Sequence, residues 1–212
     1  MPKQPNSRAD RSHSLVYCSA MVLTLAVFSS LCIAQNAGSE TSRMQTAAAD
    51  AMQRKIDFIK TNAEARRIDP RPTAFLQTEI NAYFAERRVK MPDGVKSVRF
   101  VLTPGTVTAY TRVDFDEITA SARSRHPLLA IFSGTHDVQV VANASGEDGM
   151  TLVNVRTVSL DGVSIPHMVM EMFIEKWVNP KYPSIKLDGE YKLPARIDTV
   201  KIEERRGIVT QK

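Results

Sequence analysis

Val107, Ala109, Thr111, Val113 and Phe115 alternate with Thr108, Tyr110, Arg112 and Asp114, and this period of two constrains the fold more than any other feature. Successive strand side chains point to opposite faces. The segment therefore has one dry face and one wet face, as in an antiparallel sheet packed on a single side. Val98, Phe100 and Leu102 continue the pattern upstream. Thr135–Ala144 and Met150–Leu160 read as a hairpin with Ser145–Gly149 as its loop. Three more strands are expected near Glu190–Leu193, Ile197–Glu203 and Ile208–Gln211, with Glu204–Gly207 as the last turn.

Helical periodicity interrupts these strands. Ala48, Met52, Ile56, Ile59 and Ala63 recur at helical spacing, and Asp69-Pro70-Arg71-Pro72 breaks that helix because proline lacks a donor and restricts its predecessor. Thr73 then suits the N-cap of a second helix running to about Arg88, whose apolar face is Leu76, Ile80 and Phe84. A short helix is expected over Asp116–Arg125, capped by Asp116 and closed by Pro127. His167–Val178 is the most apolar helix, with only His167, Glu171 and Glu175 as a polar stripe and Pro166 suited to its first position. An apolar arc that wide is covered on most sides or meets a ligand.

The first 34 residues read as an export leader: Lys3, Arg8 and Arg11 precede an uncharged apolar run from Leu15 to Ala34. The expected organisation is leader or N-terminal anchor 1–34, linker 35–46, amphipathic helix and proline turn 47–72, and an α+β domain 73–212. The apolar run is long enough to span a bilayer, so cleavage after Ala34 and retention as an anchor both stand. Cys18 and Cys32, the two cysteines, lie within it. A cleaved chain would have no disulfide and no thiol chemistry. The net charge of +5 for the whole sequence is mild and dispersed. That is compatible with an anionic membrane surface but too weak for nucleic acid.

Catalytic readings find little support in the residue types. His126, His136 and His167 fall in different expected elements, and no metal-ligand spacing or phosphate loop is present. Ser133, His136 and Asp137 are close in sequence, but neighbours on a strand point to opposite faces and cannot orient one another as a triad. A hydrolase would need His136 or Glu171 beside a serine hydroxyl in a pocket. Glu171 and Glu175 share a helical face, where a solvated stripe is the commoner arrangement than a catalytic pair. The reading is non-enzymatic, without cofactor or metal.

Short motifs in a particular order carry a family resemblance. They are Thr78-Glu79-Ile80-Asn81-Ala82-Tyr83, Pro104-Gly105-Thr106-Val107, Ser159-Leu160-Asp161-Gly162-Val163-Ser164-Ile165-Pro166 and Leu193-Pro194-Ala195-Arg196-Ile197. Over about residues 73–211 the chain resembles the bacterial LmeA-like phospholipid-binding proteins of the TULIP lipid-binding superfamily. The resemblance implies a strongly curved antiparallel sheet wrapping one long helix, with a second apolar helix and a lipid tail in the groove between helix and sheet. From the helix faces, Leu76, Ile80, Phe84, Met168, Met172 and Phe173 are expected to line that groove. The expected function is an exported binder, periplasmic or in the cell envelope, of phospholipid or another long apolar ligand. The alternative is an exported structural or protein-interaction domain whose helices simply pack on the sheet.

Overall fold

The computed structural model describes residues 39–119, 133–180 and 186–212. The expected leader, and most of the helix expected over Asp116–Arg125, lie outside those residues. Met1–Met44 and Gln45–Lys212 are separate units. In the first, residues 39–44 are helical. The second is an α+β unit built on a large antiparallel sheet.

Helix α1 covers residues 39–64. Residues 39–46, expected as linker, are thus helical, which Ala47, Ala48 and Ala49 favour locally. Strand β1 (Thr73–Leu76) and helix α2 (Gln77–Ala85) follow, then β2 (Val95–Thr103), β3 (Thr106–Asp114) and the short α3 (Phe115–Thr119). After the gap come β4 (Thr135–Glu147), β5 (Met150–Leu160), β6 (Val163–Ile165) and α4 (His167–Phe173), which continues as a π-helical turn, Ile174–Val178. β7 (Asp188–Lys192), β8 (Ile197–Glu203) and β9 (Arg206–Gln211) complete the sheet.

Among the described residues nine strands form one antiparallel sheet. β2, β3, β4 and β5 run as a meander, and β6 and β7 both pair with the far side of β5. Past the β2–β3 turn, β4 meets β8 at Gly146 and Val200, and the order continues β8–β9–β1. A Cβ on Gly146 would lie 3.0 Å from the Val200 Cβ, so β8 approaches β4 closely at this branch point. The sheet is neither closed nor strongly curled. This corrects the expectation of a strongly curved sheet wrapping a long helix. The one long described helix is α1, whereas α2 and α4 are short.

The second helix starts later than its periodicity predicts. Thr73 is no cap; Thr73–Leu76 pair with Val209–Arg206 of β9, covering an edge that would otherwise expose unpaired backbone. The Glu79 carboxylate accepts the Leu76 N–H at 2.9 Å, half of a capping box, since leucine has no oxygen to return the bond. α3 shows a similar shift: Asp114, not Asp116, accepts the N–H groups of Asp116 and Glu117. The β4–β5 turn is only Asp148–Gly149, because Glu147 and Met150 still pair. Pro166 occupies the N-cap of α4, its carbonyl accepting from Val169 and Met170 at 2.9 and 3.2 Å.

α1 is fastened to α2 and to the sheet by polar groups as well as by Ala49 and Ile59, which are buried. Lys55 Nζ reaches both oxygens of Glu79 at 2.6 and 2.7 Å and the Ala74 carbonyl at 2.7 Å. Asn62 donates to the buried Gln211 side chain, which in turn donates to the carbonyls of Ile59 and Ala195. A small core lies at the other end of the sheet, where Val113, Phe115, Leu160 and Phe173 are buried together.

Gly94 stands before β2 at φ +81°. An added Cβ would clash with the Asp114 carbonyl oxygen and with Ile118 Cγ1. Gly94→Ala is therefore expected to destabilise the fold by about 3 kcal/mol, from steric overlap and left-handed strain together. Urea denaturation checks it, with Gly105→Ala as the comparison, because a Cβ there meets nothing within 4 Å.

Candidate functional site

Strand register sorts the side chains of β2–β5 into two unlike faces. Directly paired residues share a face, so Phe100 with Ala109, Ala109 with Val140 and Val140 with Val158 form one apolar row. Leu102, Val107, Ala142 and Val155 form the next row. The opposite face carries Arg99, Tyr110 and Gln139 in one row, and Ser97, Arg112 and Asp137 in another.

Both short helices lie on the apolar side, at its two margins. α2 runs along the outer edge of β2, where the Asn81 side chain accepts from the Phe100 N–H at 2.7 Å and donates to its carbonyl at 2.8 Å. Gln77 accepts the Leu102 N–H at 2.7 Å, so two side chains replace a missing strand partner. Phe84 meets Phe100 edge-to-face with centroids 5.0 Å apart. At the other margin, Phe173 of α4 meets Phe115 edge-to-face at 5.5 Å and packs with Val113 and Leu160. Between these helices the floor spans β2 to β5, about 14 Å at ~4.8 Å per strand. Val98, Ala109, Val140 and Val155 on it are only half-buried.

The six residues expected to form one groove are distributed over this frame. Ile80 and Phe84 lie half-buried on α2, and Leu76 is 44 % exposed at its start. Met168 and Met172 are 71 % and 45 % exposed on the outer side of α4, whereas Phe173 is 3 % exposed in the core. The structure brings Ile80 and Phe84 to one margin and Phe173 to the other, and leaves the remaining three on the surface. A helix face alone does not say which arc meets the sheet. The floor residues were present in the strand alternation, which was the available signal.

Open surface hollows among the described residues include one of about 550 Å³ and one of about 220 Å³. The 220 Å³ hollow lies beside α4 and includes Val155, Val158, Ile165, Met170 and His167. Ligand pockets are usually ~300–1,000 Å³, so that cleft could hold only part of a ligand.

His126 lies outside the described residues; His136 and His167 are bound into the frame. His136 Nδ1 lies 2.5 Å from Asp161 Oδ2, and Nε2 lies 2.6 Å from the Ser133 carbonyl. Asp161, 25 positions away in sequence, is the partner that local reading missed. Both ring nitrogens face acceptors, so the arrangement suits imidazolium and leaves no lone pair to take a proton from a hydroxyl. Asp161 first, then the Ser133 carbonyl, raise the His136 pKa above its ordinary value, with burial opposing. His136, then the Asp137 N–H, lower that of Asp161. The stabilisation from His136 is fully present below its unfolded value of about 6.5 and is lost as pH rises through the raised folded value. That from Asp161 is lost only as pH falls through its lowered one. His136→Gln should thus lower the melting temperature at pH 6 and converge on the parent protein as pH rises, in a thermal-melt series across pH.

His167 Nε2 lies 3.1 Å from Asp188 Oδ2 and Nδ1 lies 3.5 Å from Glu171 Oε1, so the polar stripe of α4 is tied to β7. Asp188 is held in turn by Asn154 and the Val155 N–H. Among the described residues no group of three or more histidine, cysteine or carboxylate side chains is placed to hold a metal ion. No helix among them is long and apolar enough to cross a membrane. No protein-family pattern, curated protein or solved structure matches the chain significantly.

Proposed function

We propose that this protein is an exported, non-enzymatic binder of phospholipid or another long apolar ligand, whose acyl chain lies on the apolar floor between α2 and α4. The observation that carries this reading is the floor itself. Val98, Ala109, Val140 and Val155 are gathered on one face by the register and only half-buried there. The apolar leader and the LmeA-like order of motifs agree with export and with a lipid ligand. The site is then the sheet floor with Ile80 and Phe84 at its margin, rather than the outward methionines of α4.

Energetics make such a site loose. About ten buried methylenes contribute roughly 8 kcal/mol at ~0.8 each. Lost translational and rotational freedom removes ~4 kcal/mol or more of that. Affinity therefore follows tail length more than tail identity.

Single-chain phospholipids of increasing tail length should bind with affinity rising about fourfold per methylene, until the floor is filled, in a fluorescent-lipid displacement assay. Val140→Lys should abolish that binding. Val141→Lys, one residue along and on the opposite face, should leave it intact. Equal behaviour of the two variants, or no dependence on tail length, would count against the proposal.

The structural or interaction reading draws on one observation of its own, the outward Met168 and Met172 beside a core-locked Phe173. It predicts no bound lipid in native mass spectra and no thermal shift with phospholipid.

A further inference from the structure

The polar face of the sheet holds a hollow of about 540 Å³ lined by Ser97, Arg99, Tyr110, Arg112, Asp137 and Gln139. Arg99 of β2 is paired in register with Tyr110 of β3, and Ser97 with Arg112. The two arginines are therefore diagonal neighbours, roughly 7–8 Å apart across the strand pair. Like charges that close repel unless something negative lies between them.

The carboxylates at hand answer that need only in part. Arg112 Nη1 is 3.5 Å from Asp137 Oδ1, longer than the ~2.7–2.9 Å of a charge-assisted hydrogen bond. Asp161, next in sequence to the lining residue Gly162, is engaged by His136 and the Asp137 N–H. Arg99 has no carboxylate partner among the described residues. Its guanidinium instead lies over the Tyr110 ring, 4.6 Å from the centroid. That contact spends none of the guanidinium N–H groups on a carboxylate, so its fork of donors is available to an anion.

We propose that this hollow is a phosphate-binding site, with Arg99 and Arg112 as converging forks and Ser97 and Gln139 as neutral hydrogen-bonding groups. Two forks arriving from neighbouring strands can each take separate oxygens of a tetrahedral phosphate. A planar carboxylate has only two oxygens and would have to share them. Arg112 exchanges its loose contact with Asp137 for the anion. The phosphate belongs either to a free phosphoester or to a lipid headgroup. The site lies on the face opposite the apolar floor, so it does not depend on the lipid-tail reading.

Titration with inorganic phosphate, followed by the arginine Nε–H resonances, is the test. Saturable shifts of Arg99 and Arg112 are expected. Arg99→Ala, Arg99→Lys and Arg112→Ala should each weaken binding by about tenfold, because each removes hydrogen bonds to a charged group. Both side chains are exposed and the melting temperature should not move. Sedimentation with vesicles of phosphatidylcholine plus phosphatidic acid, but not phosphatidylcholine alone, with competition by inorganic phosphate, would assign the phosphate to a lipid headgroup. Phosphate shifts without vesicle capture would assign it to a soluble phosphoester. No shift, an equal shift with chloride, vesicle capture that phosphate does not compete, or variants that bind like the parent would each overturn the site. Tail binding on the opposite face should persist in Arg99→Ala, which separates failure here from failure of the acyl site.

Discussion

Lys55→Met is expected to destabilise the protein by about 3–5 kcal/mol, the cost of leaving one member of a buried ion pair uncompensated. Glu79 is 7 % exposed, and its two oxygens take Lys55 Nζ at 2.6 and 2.7 Å. Without Lys55 the carboxylate keeps only the Leu76 N–H. The Ala74 carbonyl also loses its donor, so α1, β1 and the start of α2 are loosened together. Glu79→Gln should cost less, since Lys55 has a side-chain exposure of 29 % and its long stem can carry the ammonium toward water. Exchanging both residues for apolar ones of similar volume should recover part of the loss. Urea denaturation of Lys55→Met, Glu79→Gln and the double variant carrying those same two substitutions measures the coupling directly.

Phe173→Ala should cost a similar ~3–5 kcal/mol, from lost burial and the cavity left against Phe115, Val113 and Leu160. The edge-to-face contact with Phe115 is part of that loss. Met172→Ala, the adjacent residue on the outward side of the same helix, should stay within about 0.5 kcal/mol. The contrast matters because both residues belong to an apolar arc that the sequence presents as uniform. A comparable loss in both variants would mean that α4 is turned differently on the sheet.

Local patterns were legible, and distant pairings were not. The alternation from Val107 to Phe115 marked β3 and its two faces. The runs Thr135–Ala144 and Met150–Leu160 marked a hairpin that the structure lengthens at its turn. Thr73–Leu76 misled because Leu76, Ile80 and Phe84 keep helical spacing while the backbone before Gln77 is claimed by β9, more than 100 positions away in sequence. The Asn62–Gln211 bond spans 149 positions and the Lys55–Glu79 pair 24, so no window along the chain contains the geometry that makes them partners. The expected groove failed in the same way. Helical periodicity showed which residues of α2 and α4 were apolar, but only packing decides that Phe173 points inward while Met168 and Met172 point out. The strand alternation already contained the apolar floor, and it needed register to become a surface.

Valines on adjacent positions and opposite faces supply the most direct measurement of the central claim. Val140 lies on the apolar face and Val141 on the polar one, as do Phe100 and Val101 respectively. With a phospholipid bound, acyl methylene protons should give nuclear Overhauser contacts to the methyls of Val98, Val140 and Val155, and none to Val101 or Val141. Contacts confined to Met168 and Met172, or to Val101 and Val141, or absent throughout at saturating lipid, would contradict an acyl chain on the apolar floor.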